Sequence, residues 1–161
     1  MRAGAIVTRE GAQIGEHGGQ HRFTIGQRRG LDVALGRRVY VVGKDAATNT
    51  VTVGEKEDLL CGSCTVGEAN WLVEVPSEEL HCWAKYRYNT PACRAVVRTL
   101  EDGVAPTPSG RVGRFAVEFA ERQEAVAAGQ ALVLYADSDP DQVLGGGWIL
   151  DTRGRASTRA P

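Results

Sequence analysis

The sequence has no run of about 20 consecutive apolar residues, and its first residues, MRAGAIVTREG, contain no apolar stretch of the secretory type. Apolar periodicity of helical length is also scarce, which argues against an α-helical protein. The 161 residues are 42% hydrophobic and 24% charged, which is sufficient for one domain or two small ones with a buried core. We therefore expect a folded cytoplasmic protein with no membrane segment.

Cysteine is scarce, and its spacing is incomplete for a metal site. Cys61 and Cys64 form one C-x-x-C and Cys82 follows His81, but a second pair with matching spacing is missing. A cytosolic chain of this size does not depend on disulfides, so reduced thiols are predicted. A zinc site closed by His81 and Cys82, or a redox pair, stays open as an alternative. We favour structural thiols in a turn between two domains, and no metal.

Lysine is rare, with 3 residues against 16 arginines, and the net charge of -1 hides an uneven distribution. Basic residues are in excess in the blocks 1–50 and 83–122, and acidic residues are in excess in the blocks 51–82 and 123–152. Arginine forms planar bidentate contacts with phosphate. The pattern permits local binding of a polyanion, although an ordinary solvated surface would have the same pattern.

Short β-branched runs between turn signals predict that most of the chain is β-strand. Arg38–Val42 and Thr50–Val53, joined by a turn at Asp45–Asn49, predict a hairpin. Further strands are predicted at Thr65–Leu72, His81–Tyr88, Ala92–Leu100, Gly113–Phe119, Ala131–Tyr135 and a short segment that runs into Gly145–Leu150. Many short strands with frequent turns are typical of a small barrel or sandwich.

The segments between these strands predict little helix. Ser77–Leu80 allows at most one helical turn, and Glu121–Ala128 allows at most a short helix before Gly129. Residues 101–110 are polar and proline-rich, which indicates a surface loop. The three tryptophans, Trp71, Trp83 and Trp148, are assigned to barrel packing.

The most unusual stretch is Gly15–Leu31, GEHGGQHRFTIGQRRGL. Its five glycines free the backbone for tight turns, and Arg22, Arg28 and Arg29 lie beside amide groups that could bind phosphate or a nucleotide edge. A glycine-rich connection with a solvated basic loop fits the same residues.

The histidines of this stretch, His17 and His21, have no serine, cysteine or aspartate partner nearby in the sequence. A structural or RNA-contact role is therefore favoured over acid–base chemistry. The stretch also precedes strands rather than a helix and lacks a P-loop lysine, so the chain alone is predicted not to bind ATP.

This stretch closely resembles the G-x-H-x-G-x-x-x-[FY]-T-I-G-Q-R-[KR]-G-L signature of the bacterial tRNA-specific 2-thiouridylases. Other segments that resemble the family follow in the family's order: Tyr40–Val42, Asn49 with Val51, Val53 and Gly54, Asn70–Trp71, Lys85–Tyr88, Gly129–Ala131 with Tyr135, and Leu144–Gly147. The resemblance covers nearly all of the chain up to about Leu150.

The resemblance implies a role in an ATP-dependent sulfurtransferase that converts the wobble uridine of tRNA to 2-thiouridine. The family's nucleotide site, with ATP and Mg, lies in an amino-terminal P-loop-like domain with an S-G-G-x-D-S motif, and its two catalytic cysteines lie upstream of the signature. This sequence has neither, so we expect an inactive tRNA-binding part. Its expected partners are tRNA, a separately encoded P-loop-like ATPase domain and a persulfide sulfur donor. The alternative is a stand-alone β-barrel module that binds a protein or another RNA.

The resemblance also implies a mainly β fold with two β-rich units. Residues 1–60 would be the end of an incomplete β-rich central domain, and residues 61–152 a six-stranded β-barrel similar to the second domain of elongation factor Tu. The composition from Arg153 onward indicates that residues 153–161 are a disordered tail. In this family the positions of Arg87, Tyr88 and Gln130 contact tRNA. Further candidates for RNA or interdomain contact are His17, Gln27, Arg28, Arg29 and Lys85.

Lys85 and Arg87 share one face of the predicted strand by alternation. Tyr88 must therefore lie at the end of that strand if it is to contact the same RNA as Arg87.

Overall fold

The computed structural model describes residues 3–100 and 113–154, so the predicted surface loop at 101–110 lies outside the described part of the chain. Clustering of backbone contacts divides the chain into two compact units, Met1–Leu60 and Cys61–Pro161. Ten β-strands and two short 3-10 helices make up the regular structure of the described residues. The predicted mainly β class is therefore correct.

The first unit is a four-stranded sheet. Its strands are β1 Gly4–Thr8, β2 Gln13–His17, β3 Tyr40–Asp45 and β4 Thr50–Gly54, in the spatial order β2-β1-β4-β3. Strands β3 and β4 form the predicted hairpin, and β1 runs parallel to β4. Apolar side chains that alternate along the strands fill its core, which consists of Ile6, Val41, Val51 and Val53 together with Phe23, Leu31 and Val39 from the connection between β2 and β3.

The two 3-10 helices span Gln20–Arg22 and Lys56–Leu59. The second is held by a capping box, in which the carboxylates of Glu55 and Asp58 each accept a hydrogen bond from the other residue's main-chain amide. Leu59 is the buried residue of this helix, and the first strand of the second unit follows directly.

The second unit is a closed six-stranded barrel, as predicted. Its strands are β5 Leu60–Trp71, β6 Leu80–Lys85, β7 Cys93–Leu100, β8 Arg114–Glu124, β9 Ala131–Ala136 and β10 Val143–Gly154. They close in the order β10-β5-β8-β7-β6-β9. Closure pairs both sides of every strand, so the barrel has no exposed edge.

Two-residue alternation directs apolar side chains into the barrel. On β8 the aromatic rings of Phe115 and Phe119 point inward while Glu118 is exposed, and on β9 Leu132 and Leu134 are fully buried. Full burial of each such side chain contributes about 1.5–3 kcal/mol. The barrel interior is therefore a packed core rather than a channel.

Neither of the predicted helical segments is helical. Glu121–Ala128 begins as the end of β8, and a turn starts at Ala125. Ala125 and Val126 are buried, and Val126 belongs to the core of the barrel. In the segment Ser77–Leu80, Leu80 is already the first residue of β6 and pairs with Val97. Barrel pairing outweighs the weak local preference for helix in both segments.

Strand β10 extends further than the composition indicated. Arg153 and Gly154, which the sequence assigned to the disordered tail, pair with Ser63 and Cys61 of β5. A long partner strand supplies backbone hydrogen bonds that outweigh a polar composition. Residues 155–161 lie outside the described part of the chain.

Strand β10 passes very close to both of its neighbours at Gly145–Gly147. A Cβ atom would lie 2.6 Å from the carbonyl oxygen of Asn70 at Gly145, 2.4 Å from that of Leu132 at Gly146, and 2.4 Å from that of Gly67 at Gly147. Only glycine avoids these clashes, since Cβ atoms do not approach backbone atoms that closely. Close packing of the backbone therefore explains why these three positions are glycine.

Within the described residues, no helix is long and apolar enough to cross a membrane.

Candidate nucleic-acid interface

The segment that follows β6 leaves the sheet before Tyr88, as joint RNA contact by Arg87 and Tyr88 requires. Strand β6 ends at Lys85, and Tyr88 lies in a turn with 92% of its surface exposed. The hydroxyl of Thr90 donates a hydrogen bond of 3.3 Å to the carbonyl oxygen of Arg87, which helps to fix this turn. Strand alternation thus no longer forces Tyr88 and the half-buried Arg87 onto opposite faces.

Tyr86 anchors this segment to the barrel. Its ring is buried and packs against Phe119 with 6.0 Å between centroids, and its hydroxyl donates a hydrogen bond of 3.1 Å to the carbonyl oxygen of Glu124. Burial raises the pKa of the Tyr86 phenol above its usual value. The backbone of Arg87 therefore starts from a fixed point beside the end of β8.

Gln130 closes the turn that leads from β8 to β9. Its side-chain oxygen accepts a hydrogen bond from the amide of Ala127 at 3.1 Å, and its side-chain nitrogen donates one to the carbonyl oxygen of Ala125 at 3.4 Å. Its main-chain oxygen accepts a hydrogen bond of 2.8 Å from the amide of Ile149. The half-buried side-chain amide is thus engaged within the turn, whereas the family resemblance implied that this position contacts tRNA.

The β6–β9 pairing brings these residues to one end of the barrel. Lys85 pairs with Val133 and Ala84 with Leu134 in an antiparallel register. Arg87 and Tyr88 therefore follow β6 at the end of the barrel where Gln130 precedes β9. The side chain of Lys85 lies on the outer face of β6, because its neighbours Ala84 and Tyr86 are buried.

In the first unit, His17 has a packing role. The residue is buried, and its ring lies edge-on to Phe23 with 5.2 Å between centroids and accepts a hydrogen bond of 3.0 Å at Nδ1 from the amide of Gly19. Its Nε2 atom is buried and has no hydrogen-bond partner among the described residues. A ring held in this way is not an exposed RNA contact.

Gln27 also has an internal role. Its side-chain oxygen accepts a hydrogen bond of 3.0 Å from the amide of Thr24, and its side-chain nitrogen donates one of 2.9 Å to the carbonyl oxygen of Arg29. The main chains of Gly26 and Gln27 exchange hydrogen bonds with Val41 at 2.8 and 2.9 Å. The T-I-G-Q-R segment is therefore a turn attached to β3.

Arg28 and Arg29 are exposed at the end of this turn. Arg28 lines an open cleft of about 380 Å³ together with Arg37 and Arg38. The cleft also contains Asp32, and Arg37 forms an ion pair with Glu55, so its charge is mixed rather than purely basic.

The thiols are core residues, and the prediction of a turn between domains is wrong for Cys61 and Cys64. Both lie on β5 inside the barrel with 3% exposure, and Cys82 is also buried. Burial raises the pKa of Cys64 and of Cys82 to about 12, and that of Cys93 to about 11. At neutral pH these thiols are protonated and are poor nucleophiles. In the part of the chain that is described, no three His, Cys, Asp or Glu side chains form a group that could hold a metal.

The described residues contain no α-helix, and therefore no loop that leads into a helix N-terminus of the kind that binds nucleotide phosphates. The glycine-rich stretch Gly15–Leu31 instead passes through a 3-10 helix and turns before β3.

The three tryptophans differ in their surroundings. Trp71 packs against Phe115 with 5.2 Å between centroids, as expected for a barrel residue. Trp83 lies on the outer face, with the guanidinium of Arg94 4.6 Å from its ring centroid. Trp148 is 49% exposed on β10, so its assignment to barrel packing is wrong.

Family models match both units. Residues 1–55 match the tRNA methyl transferase PRC-barrel domain, and residues 62–149 match the aminomethyltransferase beta-barrel domain. Together with the closed barrel, these matches define a class of protein in which a small β unit precedes an antiparallel barrel of aminomethyltransferase type.

Curated relatives identify the family within this class. The tRNA-specific 2-thiouridylase MnmA of Salinibacter ruber is 42% identical over 159 residues, which are 98% of this chain and 38% of the relative. The proteins of the same name from Syntrophotalea carbinolica and Treponema denticola are each 41% identical, over 91% and 92% of this chain and over 38% and 39% of their own lengths. The chain belongs to the tRNA-specific 2-thiouridylase family, as its motifs predicted, and spans less than two-fifths of the length of these relatives.

Proposed function

We propose that this chain is the tRNA-binding part of a tRNA-specific 2-thiouridylase, and that one end of its barrel docks the tRNA. The observation that carries the proposal is the antiparallel pairing of β6 with β9, because Arg87 and Tyr88 follow β6 at the end of the barrel where the turn closed by Gln130 precedes β9. Arginine binds phosphate, and an exposed tyrosine can stack on an unpaired base. Gln130 contributes by holding the turn that the RNA contacts.

The thiolation chemistry, in this proposal, belongs to a P-loop-like ATPase domain outside this chain, together with ATP, Mg and a persulfide sulfur donor. Two features of the described residues support this division. No strand–loop–helix phosphate cradle occurs among them, and their thiols are buried with raised pKa values. The chain alone should therefore give neither ATP–pyrophosphate exchange nor 2-thiouridine.

The docking surface can be tested by titrating labelled tRNA with the 161-residue chain at several salt concentrations. Arg87→Ala should weaken binding by about 1–3 kcal/mol and reduce the salt dependence by about one phosphate contact. The matched control is Arg98→Ala. Arg98 is an exposed arginine of β7 that lies toward the opposite end of the barrel, since its neighbour Val97 pairs with Leu80 at the start of β6.

Equal affinities of the wild-type chain and Arg87→Ala for tRNA at every salt concentration would contradict this surface. If the wild-type chain binds a protein or another RNA but does not bind tRNA at all, the stand-alone binding module is favoured.

A further inference from the structure

We propose that a groove on the outer face of the barrel, bounded at one end by Trp148, binds one unpaired base of the RNA by stacking. This inference rests on the proposed function and extends it to a residue that the family resemblance did not point to. The groove has a volume of about 300 Å³ and lies between β9 and β5 over β10. Its walls include Val133 on one side and Asn70 and Leu72 on the other.

The floor of the groove is backbone. Gly145–Gly147 line it, and no side chain can project from these positions without a clash. A floor without side chains admits a flat group close to the strand, beside an indole that is 49% exposed. Planar bases stack on such aromatic faces, and every base has a face to offer.

The groove adjoins the proposed docking end. Trp148 pairs with Ala131, the residue that follows Gln130, and the amide of Ile149 donates to the carbonyl oxygen of Gln130. Trp148 thus lies beside the turn closed by Gln130, at the end of the barrel where Tyr88 follows β6. An RNA strand docked at this end can therefore contact Trp148 on the outer face of the barrel.

Among the described residues, the one charged residue that lines the groove is Glu68 on the β5 side, whereas basic residues lie on the neighbouring strand β6 and just beyond its end. Lys85 of β6 pairs directly with Val133, which lines the groove, and the side chains of both residues project from the outer face of the barrel. Arg87 follows two residues later. Glu68 lies on the far wall, so the backbone of a bound strand would follow the β6 side while its base enters the groove. The side-chain amide of Asn70 is on the wall that a base edge would meet.

The test compares Trp148→Phe, which keeps an aromatic face, with Trp148→Leu, which keeps only apolar bulk. In tRNA titrations of the 161-residue chain, Trp148→Leu should weaken binding roughly 5- to 100-fold and Trp148→Phe by less than about fivefold. Leu150→Ala is the matched control, because Leu150 is 45% exposed on the same strand and does not line the groove. Its affinity should equal that of the wild type.

A second readout reports contact with the indole itself. Addition of tRNA should reduce the tryptophan emission of the wild-type chain more than that of Trp148→Phe. The difference between the two losses measures the quenching of Trp148. Absence of that difference would overturn the proposal, as would equal weakening by Phe and Leu. If Trp148→Leu binds normally while Arg87→Ala is weakened, the groove is not a base site but the docking surface stands. If the wild-type chain binds no tRNA, the proposed function itself fails.

Discussion

The signature turn of the first unit and the barrel end of the second unit differ in how their polar groups are used. Around Thr24–Arg29 the side chain of Gln27 and the backbone of Gly26 bond to the protein itself. At the barrel end, Tyr88 projects into solvent from a segment with little glycine. A conspicuous glycine-rich motif can thus mark a turn whose polar groups bond within the protein, while an ordinary strand end exposes a side chain to solvent.

The largest expected effect concerns Tyr86, which anchors the segment of Arg87 and Tyr88 to the barrel. Tyr86→Ala removes a buried ring that packs on Phe119 and bonds to Glu124, so it should lower the free energy of unfolding of the barrel by about 3–5 kcal/mol. Tyr86→Phe keeps the packing and should lose only about 1 kcal/mol from the hydrogen bond. Urea unfolding followed by tryptophan emission measures both, because Trp71, Trp83 and Trp148 all lie in the second unit. Equal losses in the two variants would show that the hydroxyl, not the ring, anchors this end.

The next largest effect is a pH dependence of stability, which is expected in the second unit because all four cysteines lie there. Burial raises the pKa of Cys64 from 9.0 to about 12, so the folded chain holds this proton more tightly than the unfolded chain does. The resulting stabilisation is complete below about pH 9 and is lost as the pH rises toward 12, by up to about 1.4 kcal/mol per pH unit for each such thiol.

The urea concentration at the unfolding midpoint, followed by tryptophan emission between pH 8 and 11, should therefore decrease as the pH rises above 9. Cys64→Ala should make this decrease less steep. The slope should not vanish, because Cys82, Cys93 and Tyr86 also have raised pKa values. An unchanged slope in Cys64→Ala would mean that its thiol does not sense burial in the barrel.

The smallest effect tests the signature turn. Gln27→Ala removes two hydrogen bonds and should lower the stability of the first unit by about 1–3 kcal/mol without altering tRNA affinity. Amide hydrogen exchange at Gly26 and Val41, whose amides bond across the turn, measures the local loss. Arg28→Ala, at the exposed neighbouring position, is the control for stability. If Gln27→Ala weakened tRNA binding while leaving these amides protected, the contrast between the two regions would be wrong.

Much of the fold follows from local pattern, because β-branched alternation has one structural meaning wherever it recurs. Alternation in Val51–Val53 and Phe115–Phe119 identified strands of both units. The same reasoning misread Glu121–Ala128, where charged and alanine residues resemble a short helix. The start of this segment pairs as part of β8, and Val126 packs into the barrel core, so its structure depends on the rest of the barrel and not on the segment alone.

The site was predictable only in part. A strand end before Pro91 places Tyr88 in a turn, and the sequence carries that signal. The engagement of the Gln27 and Gln130 amides depends on turn geometry that a single sequence does not specify. Likewise, the exposure of Trp148 depends on which face of β10 turns outward when the barrel closes.

The pairing of β5 with β10 has a kinetic consequence. These are the first and last strands of the barrel along the chain, and Cys61 pairs with Gly154 at one extreme of their ladder. Contacts between distant segments form slowly because a long loop must close first. During synthesis, the edge of β5 must wait unpaired on that side until β10 has left the ribosome, so the barrel should form in a single late step rather than strand by strand.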